Sequence, residues 1–284
     1  YEEGGQDYPI GYVRWTENRN MKAYLELIRV KKIDLKGFYD KPFPVTNAND
    51  AYESLKGEGT KPLFVLLTYE ENEKVFSSLV VLRENSIKSE KIGLSIIGAS
   101  SFAQGMHLPN LFKLRSDFSL RGVVSRTGAN ARAVADQYQA GFCSTNFDDV
   151  IADEETDLIM VTTRHDLHGK MTLAGLNAGK SVFVEKPLTL DLEDLNHIYS
   201  FFEKTKEMPV LMVGYNRRFS PVIIRIKQAI ENRTSPMIVN YRMNAGYIPL
   251  DHWVHGPEGG GRNMGEACHI YDLFNFLVGS TSIQ

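Results

Sequence analysis

The residues able to do chemistry stand in short runs, each placed after an apolar stretch. Lys186 in "EKP" comes directly after "SVFV". An ammonium group emerging from a buried strand beside low-dielectric walls is poorly solvated, a setting in which it can exchange a proton with a bound hydroxyl. Glu185 beside it could instead pair with Lys186 for structure alone. In "MGEACHIYD", Glu266, His269 and Ile270 fall on one helical face at i, i+3 and i+4. That spacing lets Glu266 orient His269 as a general acid/base, with a backbone carbonyl as the alternative orienter. Asp272, three residues on, reads as a local cap or pair. In "TTRHDLH" the spacing of His165 and His168 could suit a metal, but no Cys, Asp or Glu completing a zinc pattern follows, so no metal site is expected. His168 reads as a structural hydrogen-bonding residue at the start of a helix ending at Ala178 and Gly179.

Other runs suit a phosphate or a sugar. "KIGLSIIGASSFAQG", residues 91 to 105, reads as a buried strand, a tight turn and a helix, close to the GxGxxG/A pattern that cradles a dinucleotide pyrophosphate. Gly98 permits the turn and Ala103 the close helix packing. Ser100 replaces the second glycine; it is small enough to leave phosphates room and has a hydroxyl to donate, while Phe102 lies on the same turn. A strand-to-helix turn without a ligand would use the same residues. In "VVSRTGANARA", Ser125, Arg126 and Thr127 stand where a carboxylate would bind a ribose 2′-hydroxyl; an arginine with hydroxyls suits a 2′-phosphate, unless Arg126 is an ordinary solvated charge. "DHWVHGPEGGG" brings His252, Trp253 and His255 before a glycine-rich loop, a mixture suited to a sugar face or to a folded β-meander.

These runs need elements to converge. From Lys91 onward apolar strands alternate with amphipathic helices, the order of an α/β doubly wound parallel sheet of the Rossmann type. The runs at Gly98, Ser125–Arg126, Thr162–His165, Glu185–Lys186 and Tyr215–Asn216 all fall at carboxyl ends of strands. In an open parallel sheet those ends share one edge, where ligands bind. Before this stretch, Met21, Tyr24, Leu25 and Ile28 form one helical stripe, and Ala48, Ala51, Tyr52 and Leu55 another that Gly57 would end. "PLFVLLTY" reads as a buried strand, and "RENSIKSE" as a linker. The chain opens without a recognisable domain start and stops soon after the helix at His269, which suggests a fragment.

Composition narrows the classes. A net charge of −3 without a long basic run argues against nucleic acid. Two distant cysteines, Cys143 and Cys268, form neither a disulfide framework nor a zinc knuckle, and a reducing cytoplasm fits them. The longest apolar runs are too short to span a bilayer, and no signal peptide is apparent.

Residues 91 to 284 resemble the Gfo/Idh/MocA family of sugar and polyol oxidoreductases through "GASSFA", "TTRHDLHGKMTLAGLNAGKSVFVEKPL", "GYNRRFSP" and "GGGRNMGEACHIYD". The earlier part, with "VRWTENRNM" and "FPVTNANDAYESL", resembles the C-terminal tail of medium-chain, alcohol-dehydrogenase-like reductases, and the order of the two resembles bi-domain oxidoreductases. The family resemblance implies that Lys186 is the catalytic lysine, with Pro187 after a cis bond. It implies that Thr162, Thr163, His165, His168, Glu185, Lys186 and Arg218 lie beside the cofactor, NADP or NAD, and that Tyr215, Asn216, Trp253 and His269 lie near a carbohydrate-like substrate. A family Asp four residues before the His is here Gly265. A salt-bridged helix start would equally explain Arg217 and Arg218.

The expected organisation is a small α/β tail at 1–82, a linker at 83–90, a dinucleotide-binding domain at 91–213 and, at 214–284, the start of an α+β substrate and oligomerisation domain that is truncated. The expected activity is hydride transfer between a secondary alcohol and a nicotinamide, in a homo-oligomer when intact. A non-catalytic nucleotide sensor on the same fold is the alternative, favoured by Ser100, Gly265 and the fragmentary ends.

Overall fold

Six short runs rich in Val, Ile and Leu build the centre of the molecule, because a strand covered on both faces must be apolar at nearly every position. The structure, a computed structural model, describes residues 7–39, 41–56, 63–69, 77–83, 90–206 and 208–279. The chain divides into two units, Tyr1–Val75 and Phe76–Gln284.

In the first unit, helix α1 (Glu17–Arg29) starts at Thr16, whose hydroxyl accepts the Arg19 N–H at 3.3 Å. Its expected stripe forms, but Met21, Tyr24 and Leu25 are exposed and the helix buries no residue. Helix α2 (Ala48–Ser54) buries Ala51. Strand β1 (Phe43–Pro44) pairs in parallel with β2 (Leu67–Thr68). The strand expected over "PLFVLLTY" therefore shrinks to two residues, and Gly57 lies outside the described residues.

The second unit holds a seven-stranded sheet. Its strands are β3 (Leu79–Val81), β4 (Ile92–Ile97), β5 (Phe118–Val124), β6 (Phe142–Ser144), β7 (Leu158–Val161), β8 (Ser181–Val184) and β9 (Leu211–Val213). The order is β3-β6-β5-β4-β7-β8-β9, with all neighbours parallel except β3, which runs antiparallel to β6. Without β3 this is the doubly wound order, whose switch point lies between β4 and β7. Strand β3 thus belongs with the sheet, and the division between units falls ahead of the boundary expected at 82. The expected linker lies almost wholly outside the described residues.

The strand period of two sorts the core. Leu94 and Ile96 of β4 pack on one face with Val123, Ala131 and Val134; Ile97 packs on the other with Ile159, Val161, Leu176 and Val184. Each such aliphatic side chain contributes about 1.5–3 kcal/mol by leaving water. The covering helices are α3 (Leu108–Lys113) and α4 (Gly128–Gln137) with α5 (Asp148–Ala152), α6 (His168–Asn177) and α7 (Leu192–Lys204). After β9 come α8 (Pro221–Ile230), a long irregular stretch and α9 (Cys268–Val278), with no strand among the described residues of that segment. Two five-residue π turns, Ala103–His107 and Asn263–Ala267, lead directly into α3 and α9.

Candidate active site

The turn after β4 explains its residues one by one. Gly98 has φ +93°, and a Cβ there would lie 2.8 Å from the Thr162 carbonyl and the Thr163 nitrogen. Only glycine lets the ends of β4 and β7 meet at the switch point. Thr162 ties the same junction, its hydroxyl lying 3.0 Å from the Ile97 carbonyl and 2.7 Å from that of Gly98. The Ser100 hydroxyl accepts the Ala103 N–H at 3.3 Å and donates to the Thr162 carbonyl at 3.4 Å. It caps the helix. The Ala103 and Gln104 N–H groups are both taken by Ser100, so among the first-turn donors only those before them could hold an anion. Ala103 is fully buried.

At the end of β5, Ser125 is half-buried while Arg126 and Thr127 are exposed. Asn130 of α4 donates to both the Ser125 hydroxyl and the Ala99 carbonyl at 2.9 Å, joining this turn to the first. Nothing in the sequence reading pointed to Asn130. A dinucleotide fits this edge: a helix start with free donors, a glycine turn, and a cation with hydroxyls at the second strand.

Lys186 is fixed from two sides. The Lys186–Pro187 bond is cis. The Lys186 Nζ donates to the Gly265 carbonyl at 2.7 Å. Glu185 is held within the chain: its Oε1 lies 2.8 Å from His107 Nε2, and its Oε2 accepts the Lys186 N–H at 3.3 Å. Gly214 makes room for that carboxylate, since a Cβ would stand 3.0 Å from it. His107 sits at the end of the first π turn, edge-on to Phe102 and Phe183. The sequence reading missed it; the visible signal was one histidine in the otherwise apolar "MHLPNLF".

The histidines of "TTRHDLH" hold the backbone. Buried His168 has Nδ1 2.7 Å from the Pro187 carbonyl and Nε2 3.2 Å from that of Thr163, and burial holds its pKa below the ordinary range. His165 Nδ1 meets the Gly259 carbonyl at 2.8 Å, with its ring edge-on to Trp253. Thr163 turns its hydroxyl to the Arg164 carbonyl. Among the described residues no group of three or more His, Cys, Asp or Glu could hold a metal.

The second π turn revises two expectations. Glu266 is held by Arg262 through contacts of 2.8 and 3.0 Å, and this pairing lowers its pKa. Both of its carboxylate oxygens are taken by Arg262, and among the described residues it makes no hydrogen bond to His269. Nor does a carbonyl: His269 Nδ1 is buried without a hydrogen-bond partner. Where a side chain at 265 would begin, the His165 ring stands 3.1 Å away. Burial first, then the charges of Lys186 and Arg217, push the His269 pKa down to about 4. Tyr215 lies edge-on to His269 at 6.1 Å, and burial pushes its pKa up to about 12, so it remains a donor. Arg218 forms a bidentate pair with Asp272. Asn216 is exposed in a 3₁₀ turn. Trp253 starts another, beneath the Arg164 guanidinium, where the β-meander alternative would need strands.

Comparison with known proteins agrees with this geometry. Residues 92–215 match the model of the GFO_IDH_MocA oxidoreductase family, NAD-binding Rossmann fold. Inositol 2-dehydrogenase of Salmonella typhimurium is 26% identical over 168 residues, which is 58% of this chain and 48% of that protein. The scyllo-inositol 2-dehydrogenase (NAD(+)) of Bacillus subtilis is 32% identical over 136 residues, 46% of this chain and 38% of that protein. The chain spans about half the length of the curated relatives it matches. Among solved structures, levoglucosan dehydrogenase in complex with NADH superposes with a TM-score of 0.59 at 20% identity, covering 67% of this chain and 55% of that one. The last likeness concerns the fold alone. No helix among the described residues is long and apolar enough to cross a membrane. The switch-point turn and the parallel part of the sheet fall within residues 92–215, the part of the chain that is similar to the NAD-binding Rossmann domain of the Gfo/Idh/MocA oxidoreductase family.

Proposed function

We propose that this protein is a dehydrogenase moving a hydride between a nicotinamide cofactor and a secondary alcohol of a sugar, polyol or sugar derivative. The observation that carries the reading is Lys186, whose Nζ is held 2.7 Å from the carbonyl of Gly265, in the turn that leads into the helix of His269, whose Nδ1 is buried without a hydrogen-bond partner. An ammonium has three donors, so Lys186 keeps two for the oxygen of a bound carbinol. His269 enters as a neutral base, because burial and two neighbouring cations disfavour its imidazolium. It takes the hydroxyl proton during oxidation and returns it during reduction, while protonated Tyr215 can donate to the substrate. When bound, the nicotinamide supplies the hydride acceptor or donor.

Lys186→Met tests this reading. Turnover should fall by about 10² to 10⁴ while nucleotide affinity stays close to the parent's. A sensor is the second reading, favoured by the missing orienter on His269. It predicts tight cofactor binding with no turnover in the parent.

The end of β5 supports a preference for NADP, since Ser125, Arg126 and Thr127 offer a cation and hydroxyls where no carboxylate stands. NADPH should bind about tenfold or more tighter than NADH, and Arg126→Ala should erase the difference in a calorimetric titration. Equal affinities in the parent would exclude this preference. The first unit is read as a medium-chain-reductase remnant without chemistry of its own.

A further inference from the structure

The Lys186 ammonium meets the turn that leads into α9 at the Gly265 carbonyl, 2.7 Å away. Gly265 is buried, and the position from which its side chain would grow faces a histidine: a Cβ there would stand 3.1 Å from His165 Cε1 and 3.8 Å from Val254 Cγ2. The ring has little room to retreat. His165 is 7% exposed, and its Nδ1 lies 2.8 Å from the Gly259 carbonyl, which only accepts, so the ring is the donor. His168 stands edge-on to it at 5.6 Å and Trp253 at 5.2 Å, and Trp253 is covered in turn by the Arg164 guanidinium at 4.9 Å.

The loop that carries Gly259 is tied to the same turn. The Glu258 carbonyl accepts the Asp166 N–H at 3.3 Å, and the Glu258 carboxylate pairs with Arg164. A ring closed in on these sides is a stop behind Gly265, and a carbonyl backed by a stop presents its lone pairs in one place. His168 acts at the other end of the lysine, since its Nδ1 lies 2.7 Å from the carbonyl of Pro187, the next residue. Placement at this scale matters, because a shift of about 1 Å at a reacting group can cost about 10² in rate.

We propose that His165 is a positioning residue for Lys186: its ring, anchored at Gly259, backs the Gly265 carbonyl and thereby fixes where the ammonium points. Only the expected effect on turnover rests on the dehydrogenase reading.

The test follows the freedom of the Lys186 amine by trace acetylation with acetic anhydride, read by mass spectrometry on the protein without added nucleotide, with exposed Lys170 as the internal reference. In the parent, Lys186 should label about fivefold or more slower than Lys170, as an ammonium held in a charge-assisted hydrogen bond. His165→Asn keeps a donor for Gly259 but removes the ring edge, and Gly265→Ala drives a methyl against that edge; each should speed labelling of Lys186 about threefold or more. Joined in one chain the two should relieve each other, leaving Lys186 no more reactive than in either single variant. Melting curves establish that each variant is folded, and the parent's Lys186-to-Lys170 ratio tests the proposal even if a variant is not.

The proposal is overturned if the parent labels both lysines alike, if either folded single variant labels as the parent does, or if the two effects multiply in the double variant. Hydride transfer to NAD from a panel of aldoses and polyols is measured in parallel. There kcat should fall about tenfold in each single variant while nucleotide affinity stays near the parent's. Altered labelling with kcat unchanged overturns the role in the reaction. Labelling that responds as expected, in a parent that transfers no hydride, supports the positioning of Lys186 and sinks the dehydrogenase reading instead.

Discussion

The two π turns do the same job by different means. Ala103–His107 is rooted in the core, with Ala103 and Leu108 buried, and delivers a side chain: His107 grips Glu185. Asn263–Ala267, in which Gly265 is buried, is braced by the more exposed Arg262–Glu266 pair and delivers a backbone carbonyl to Lys186. One turn thus fixes the residue before the lysine and the other fixes the lysine head. A π turn inserts one residue without ending the helix, which re-aims whatever follows it. The lesson of the comparison is that a reactive side chain can be aimed by a side-chain contact beside its root and by a backbone carbonyl at its tip.

Breaking the less exposed of the two pairs should cost more. His107→Leu leaves the Glu185 carboxylate without its ring partner in a half-dry setting, a loss of about 1–3 kcal/mol in chemical denaturation. Turnover should drop with it, whereas nucleotide affinity should hold. A variant as stable as the parent would show that Glu185 is held by something other than His107. Arg262→Ala strikes the second turn. The pair it removes is partly exposed, so the expected loss of stability is about 0–1 kcal/mol. Its effect should appear mainly in turnover, as the Gly265 carbonyl loses its fixed position. If Arg262→Ala destabilises the protein more than His107→Leu does, the ranking of the two turns is reversed.

The sheet was legible because its cause is local. Runs such as "LIMV" and "SVFV" are apolar throughout, as strands covered on both faces must be, and the rule that ligands gather at strand carboxyl ends then brings Gly98, Thr162 and Lys186 together. Ser100 was legible as a residue of the turn but not as its cap, since that depends on where its hydroxyl rotates. The pairing of Glu266 could have been read: Arg262 stands four residues before it in "GRNMGE", a helical neighbour closer than His269 in effect. Other contacts leave no local trace. Arg218 and Asp272 are 54 residues apart, and His107 and Glu185 are 78 apart, so only the tertiary fold makes them partners. The π turns are equally hidden, because helix propensity does not distinguish them from ordinary turns.

Strand β3 has a consequence for anyone dividing this chain. Its three residues precede the glycine turn in sequence, yet they hydrogen-bond along Phe142, Cys143 and Ser144 of β6. A cassette cut at Lys91 would keep the glycine turn, Lys186 and His269 and still strip β6 of its neighbour. The row of amide and carbonyl groups laid bare would be a template for any other strand, and self-association is the ordinary fate of such an edge.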